Sequence, residues 1–239
     1  MNKAKEHATK LHKIVAVKTV PRLGFQDHMD SNFEALGPLG IPLYGTPDPE
    51  PYWGRKLETL MMQHIEDGAD AILTLDYDTV YKRQDVVDLI KLMETHPEAT
   101  AIAPLQAGRG GNLPLLSMKS RTGQMVDRSP RETFLPEVTR IHSAHYALTL
   151  FRVADLIKIP HPWFRAQPDR DGQWGSSKVD ADIWLWKLME ERNMILYSAN
   201  RIVVGHLDLV LHWPDTTFGT LFQQVSEYKE TGKPENVWR

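Results

Sequence analysis

Ala71-Ile72-Leu73-Thr74-Leu75-Asp76-Tyr77-Asp78 is the stretch on which the reading of this chain turns. Ala71 to Leu75 reads as a short apolar strand, and it ends in two carboxylates one residue apart. At a strand end the extended backbone relaxes into a turn, so both carboxylates can approach one point. Hard divalent cations such as Mg2+ or Mn2+ take oxygen ligands of this kind, with substrate phosphates completing the shell. Taken alone, a polar strand end or an Asx turn explains the pair equally well.

Outward from this strand, apolar runs and helical spacings alternate. Ile14 to Val17 is a β-branched run that reads as a first strand ending at Pro21. Leu57, Leu60, Met61, His64 and Ile65 fall at helical spacing between Gly54 and Asp67, with Gly68 as the stop. Val86, Leu89, Ile90 and Met93 mark a second helix closed by His96-Pro97, and Thr100 to Ala103 is a third strand. A β-α-β-α-β rhythm predicts a parallel sheet with helices on its faces, whose ligands bind beyond the carboxyl ends of the strands. Asp76 and Asp78 stand at such an end.

The second half is less regular. Residues 105–142 are rich in Gly, Pro, Arg and Ser, and a stretch that long without periodicity is usually functional or mobile. A strand is expected over Ala144–Phe151 and a short helix over Val153–Ile157. The loop Pro160-His161-Pro162-Trp163-Phe164 follows. A helix over Asp182–Arg192, short strands over Met194–Ser198 and Ile202–Gly205, and a final helix over Phe218–Lys229 complete the expectation. Neither a linker nor an internal repeat divides the chain.

Composition bounds the chemistry. The 239 residues are 41% hydrophobic and 25% charged, ordinary for a globular chain with a sizeable core. Lys and Arg number 28 against 31 Asp and Glu, a net charge of −3, which argues against a globally basic nucleic-acid surface. With no cysteine, disulfides, thiolate nucleophiles, zinc fingers and iron–sulfur clusters are excluded, and any metal must be held by oxygen or imidazole. No apolar run approaches the roughly 18 residues of a membrane-spanning helix. The polar opening Met1-Asn2-Lys3-Ala4-Lys5-Glu6-His7 lacks the apolar region of a signal peptide. The expected compartment is therefore the cytoplasm.

Two further features carry chemistry. Asp180-Ala181-Asp182 opens an expected helix, where capping and the helix dipole explain one Asp better than two. In Val203-Val204-Gly205-His206, a histidine follows an apolar strand; it reads as a turn residue or as a neutral imidazole ligand beside carboxylates. Trp163 and Phe164 suit either stacking on sugar or base faces or packing of their own loop.

The order of these pieces resembles the nucleotide-sugar-dependent glycosyltransferases of the GT-A fold, most closely the family 2 type, including its short phage and bacterial forms. The pieces are strand-Asp76-x-Asp78, the Pro-Trp-Phe loop, the acidic helix start and strand-Gly205-His206, and the likeness runs over about residues 13–210. It implies an α/β chain with a mostly parallel central sheet flanked by helices. That sheet would form one GT-A domain over 1–239, with 13–104 as the nucleotide-binding half. Residues 105–239 would be the acceptor-side half with the C-terminal helix.

The resemblance also implies roles. Asp76, Asp78 and His206 would hold Mn2+ (or Mg2+) against the diphosphate. Thr19, Pro21, Arg55, Asp76 and Tyr77 would bind the donor, a nucleoside-diphosphate sugar with UDP the first guess. Asp182 matches the catalytic base of the family's Glu-Asp pair. The Glu is replaced here by Ala181, which leaves the base between Asp182 and Asp180, with Asp182 preferred. Trp163, Phe164 and His145 would face the acceptor. Ser143-Ala144-His145-Tyr146 stands where the family often has a Gly-x-Gly-aromatic strand, which implies an acceptor side of different shape.

The implied activity is metal-dependent transfer of a sugar to an acceptor hydroxyl, with inversion. The acceptor stays open among a glycan, a small molecule, a protein and a modified DNA base. Arg109, Lys119, Arg121, Arg128 and Arg131 make the central loop locally basic. Two alternatives compete. Asp76-Tyr77-Asp78-Thr79-Val80 also fits the haloacid-dehalogenase phosphatase signature, although that motif normally follows the first strand and its late magnesium-binding Gly-Asp-x-x-x-Asp is missing. The seven tryptophans would also suit a carbohydrate-binding protein without catalysis.

Overall fold

The apolar runs expected as strands form as β1 (Ile14–Lys18), β3 (Ala71–Leu75) and β5 (Ala99–Leu105) in the computed structural model. The structure describes residues 10–19, 24–46, 53–107, 116–119, 125–126, 131–175, 178–214, 216–217 and 219–237. Two helices follow the predicted spacing. α2 (Trp53–Glu66) buries Leu57, Met61 and His64, and α3 (Arg83–Thr95) buries Val86, Leu89, Leu92 and Met93. Between β1 and α2 lie two elements without an apolar period, α1 (Gln26–Leu36) and β2 (Leu43–Gly45). The buried positions of α1 are His28, Asn32, Ala35 and Leu36, a helical face that is half polar.

The remaining strands are β4 (Thr79–Val80), β6 (Leu116–Lys119), β7 (Met125–Val126), β8 (Val138–Ile141), β9 (Ser143–Ala144) and β10 (Leu148–Arg152). After α4 (Val153–Leu156) and α5 (Ala181–Glu191) come β11 (Ile195–Val203), β12 (Gly205–His206), β13 (Val210–Pro214), β14 (Thr220–Gln224) and α6 (Val225–Thr231).

Seven strands form the central sheet in the order β2-β1-β3-β10-β5-β11-β8. β1 pairs in parallel with β2 and β3, and β11 pairs in parallel with β5. β10 runs antiparallel between β3 and β5, with Leu148 opposite Leu75 and Leu150 opposite both Leu73 and Ile102. β8 is antiparallel at the edge. The sheet is thus mostly parallel and buried on both faces, which accounts for its continuous apolar strands.

Alternation along the strands divides the core into two layers. Val15, Val17 and Ile72 face α2 and α5, where Leu57, Met61, Leu185 and Trp186 cover them. Ala16, Leu73 and Leu75 face α1 and α3, against Leu36, Leu89 and Met93. Trp163, Trp186 and Phe151 are the largest side chains wholly inside. Truncating one of these to Ala costs about 3–5 kcal/mol.

Three expectations are corrected. The strand expected over Ala144–Phe151 is broken at His145–Ala147 into β9 and β10, because His145 Nδ1 accepts the Ala147 N–H at 3.1 Å and closes a turn. The stretch 105–142 is not without structure: β6, β7 and β8 lie in it, and β8 joins the central sheet. The helix expected over Phe218–Lys229 is instead β14 followed by α6, since Thr220–Gln224 pair with Val210–Pro214 as a hairpin. Trp213 Nε1 donates to Gln223 Oε1 at 3.0 Å inside that hairpin. Of the basic central loop, Arg109, Arg121 and Arg128 lie outside the described residues, as do the side chains of Lys119 and Arg131.

Candidate functional site

β3 delivers Asp76, Tyr77 and Asp78 to the carboxyl end of the sheet. Asp78 is 3% exposed. It is held there by β12, which pairs antiparallel with β4 so that His206 lies opposite Thr79 and Gly205 opposite Val80. The Leu207 N–H donates to the Asp78 carbonyl at 2.7 Å, and His206 Nε2 stands 3.4 Å from Asp78 Oδ2. A Cβ on Gly205 would lie 2.5 Å from Val80 Cγ2, so the glycine is what lets this strand approach.

His206 is oriented from its other nitrogen. Nδ1 lies 2.9 Å from the Ala107 carbonyl, which can only accept, so Nδ1 carries a ring proton and Nε2 is the nitrogen turned toward Asp78. Metal-ligating histidines are commonly fixed in this way. Two ligand atoms 3.4 Å apart can both reach one cation at about 2.1 Å. Among the described residues no three His, Asp or Glu side chains gather about a point, so such a cation would take its other ligands from water and phosphate.

A polar network absent from the sequence reading backs the turn. His28 Nδ1 donates to the Thr79 carbonyl at 2.8 Å, and its Nε2 accepts from Asn32 Nδ2 at 3.0 Å and faces Lys18 Nζ at 3.3 Å. Tyr81 donates to Asn32 Oδ1 at 2.7 Å. Burial lowers the pKa of both Lys18 and His28; the Thr79 bond opposes this at His28, and the Lys18 charge adds to it. Phe25, before α1, stacks on Tyr77 at 6.3 Å.

The second acidic pair lies at the start of α5. Asp180 occupies the cap position but makes no side-chain cap; its carboxylate pairs with Lys178 Nζ at 3.0 Å and is largely exposed. The capping explanation therefore does not hold for Asp180. Asp182 is half-buried. Its carboxyl pKa is raised by burial and then by the Asp180 charge, against the Asp182 and Ile183 amides and Lys178. The Tyr146 hydroxyl donates to the Asp182 carbonyl at 2.9 Å. Burial raises the Tyr146 pKa well above its usual value, and the charges of Asp182 and Asp76 both reach it and raise it further. One buried tyrosine thus senses both acidic pairs.

The three side chains expected on the acceptor side are engaged internally. Trp163 is fully buried and donates to the Ile159 carbonyl at 3.0 Å. Phe164 packs between Trp53 and Tyr146, each at 5.4 Å, and against Gly54, where a Cβ would lie 2.5 Å away. These rings favour the loop-packing alternative over stacking on a ligand. His145 gives its Nε2 proton to the Pro104 carbonyl at 2.9 Å. Burial pushes its pKa down to about 4, the Pro104 bond opposing and the His206 charge adding.

Of the expected donor contacts, Thr19 is half-buried just past β1, and Pro21 lies outside the described residues. Arg55 is exposed on the first turn of α2 and lines a cleft of about 520 Å³ with Glu58, Thr59, Gln63 and Pro162. No described contact joins Arg55 to Asp76 or Asp78. Another aromatic lies on the loop that precedes α5. Trp174 is 61% exposed on the loop closed by Gln167 and Val179, where the Asp169 carboxylate accepts from the Asp171 and Gln173 amides.

No family model and no curated protein matches the chain. Its fold is shared with solved structures at very low identity. A197 from STIV superposes with a TM-score of 0.56 at 11% identity, over 89% of this chain and 95% of that one. GalNAc-T7, solved with UDP, GalNAc and Mn2+, gives 0.54 at 10% identity, over 82% of this chain. The match spans only 44% of GalNAc-T7. What is shared is the architecture, a large mostly parallel sheet between helices, with a glycosyltransferase among the proteins that have it. Among the described residues no helix is long and apolar enough to cross a membrane.

Proposed function

We propose that the chain is a single-domain, GT-A-like glycosyltransferase that moves a sugar from a nucleoside-diphosphate sugar to an acceptor hydroxyl with inversion, using Mn2+ or Mg2+. The observation that carries this is the pairing of buried Asp78 with a histidine whose Nδ1 is committed to the Ala107 carbonyl. Such a pair, at the carboxyl end of a parallel sheet, suits a cation that meets a diphosphate. The UDP and Mn2+ in GalNAc-T7 favour the same ligands here, with UDP the first choice.

In this reading Asp78 and His206 would hold the cation directly, and Asp76 would reach it through a bound water. The cation would supply positive charge to the departing diphosphate. Thr19 and Tyr77 would border the nucleotide, with Pro21 beside them as the sequence resemblance implies, and Arg55 would meet the phosphates. Asp182 takes the proton from the acceptor hydroxyl as that oxygen attacks the anomeric carbon. Its raised pKa makes it a better base than an exposed aspartate, and the neighbouring Asp180 charge adds to that. Direct attack opposite the leaving group inverts the anomeric centre. The exposed ring of Trp174, on the loop that leads into α5, is the aromatic face open to an acceptor sugar.

Thermal unfolding with UDP, GDP, CDP and dTDP, each with and without Mn2+, tests the reading. A ligand at a hundredfold excess over its dissociation constant stabilises the fold by about 2.7 kcal/mol. The expected result is a shift for one nucleotide that requires Mn2+ and vanishes in Asp78→Ala. Absence of any nucleotide response overturns the proposal, and phosphomonoester hydrolysis and glycan binding then become the readings to assay.

A further inference from the structure

We propose that Gln106 is the positioning residue that sets the distance between Asp78 and His206, and so governs how well the pair takes a divalent cation. This rests on the metal reading above. Gln106 follows β5 and is 4% exposed. Its Nε2 donates to Thr79 Oγ1 at 3.2 Å and to the Gly205 carbonyl at 3.4 Å. Thr79 is the residue after Asp78, and Gly205 is the residue before His206. One buried amide therefore grips both short strands immediately beside the two ligand positions.

The grip is part of a register. The Leu105 carbonyl accepts the Val204 N–H at 3.0 Å, Gln106 reaches the Gly205 carbonyl, and the Ala107 carbonyl accepts from His206 Nδ1. Three consecutive residues thus brace three consecutive residues of the incoming strand. Among these bonds only the Gln106 side chain also reaches the aspartate side. That matters because β4 and β12 pair over just two residues, too few to hold a fixed spacing without other support. Without the amide, Thr79 and Gly205 each lose a donor, and that short ladder and the Leu207 bond carry more of the spacing between the two ligands.

Gln106→Met keeps the length and removes both donors. Mn2+ binding is measured by the loss of the free-ion EPR signal, with Mn2+ alone and with UDP, beside the unfolding midpoint. The expected result is Mn2+ affinity about 10- to 100-fold weaker, with the midpoint and the metal-free affinity for UDP near wild type. Affinity equal to wild type, or weakened only in step with a falling midpoint, overturns the assignment. Should Gln106→Met not fold, Thr79→Val removes one of the two acceptors, and a smaller loss of Mn2+ affinity is expected; no loss overturns the assignment. Wild-type protein that takes up no Mn2+ overturns the metal reading itself, which separates the two failures.

Discussion

Asp78 and Asp182 both stand where the backbone turns, but they are held by different parts of the chain. Asp78 is almost out of water, and its partners His206 and Leu207, like the residues Gln106 and Ala107 that brace that turn, lie far along the sequence. Asp182 is half-buried on the first turn of α5, and its neighbours Lys178, Asp180 and Ile183 are local, apart from Tyr146. The first carboxylate is a product of strand pairing and the second of a helix start. Changes in distant residues should therefore reach the first and leave the second in place.

The largest effect is expected at the second. Asp182→Asn should leave Mn2+-dependent nucleotide affinity unchanged and lower the release of nucleoside diphosphate from a sugar nucleotide by about 100- to 10,000-fold. A comparable loss in Asp180→Asn with activity kept in Asp182→Asn would reverse the two roles.

At the first carboxylate, Asp78→Ala should weaken Mn2+-dependent nucleotide binding by at least about 100-fold, more than the loss of an outer partner costs. Calorimetric titration of Asp180→Ala should show affinity near wild type; equal losses in both would erase the contrast between the pairs.

Gly205→Ala puts a methyl 2.5 Å from Val80 Cγ2, and overpacking of this kind costs about 1–3 kcal/mol. The loss should appear in urea unfolding together with weaker Mn2+ binding. Gly54→Ala, which meets Phe164 at the same distance, should destabilise similarly and leave Mn2+ binding intact. Equal metal affinity in both variants would mean that the Gly205 strand does not set the ligand spacing.

The smallest effect is in pH. Because the Asp182 pKa is raised above 3.8, the acid limb of the rate profile should lie above that value. Asp180→Asn removes a like charge and should move the limb down. For stability the sign is the reverse of the usual carboxylate. Between 3.8 and the raised value the folded state holds the proton longer, so stability falls as pH rises through that window. An unmoved limb in Asp180→Asn would separate the two acids electrostatically.

How much of this could be read beforehand follows the same division. β1, β3, β5, α2 and α3 announce themselves because their buried residues are apolar and periodic. α1 does not, because its inward face carries His28 and Asn32, which are buried through hydrogen bonds to the Thr79 turn. Thr220–Gln224 became a strand because a pairing partner lay in Val210–Pro214, which local helical spacing cannot register. At the site, Asp76, Asp78, Asp182 and His206 are conspicuous as charged or imidazole groups at element ends. Gln106 is a neutral residue after a strand, visible only once β5, β4 and β12 meet. Trp163 was misleading for a related reason: an aromatic in a Pro-rich loop looks available until the loop folds over it.

The place of β10 has a consequence for synthesis. Leu148–Arg152 separate β3 from β5 in the sheet, so when β5 leaves the ribosome the middle of the sheet is still missing. β3 and β5 then carry apolar edges whose native neighbour has yet to be translated. Closing that gap requires a long loop and a high contact order, which slow folding. A nascent chain stalled between residues 105 and 148 is consequently the species most exposed to edge-to-edge aggregation, and the one on which a ribosome-associated chaperone has most to do.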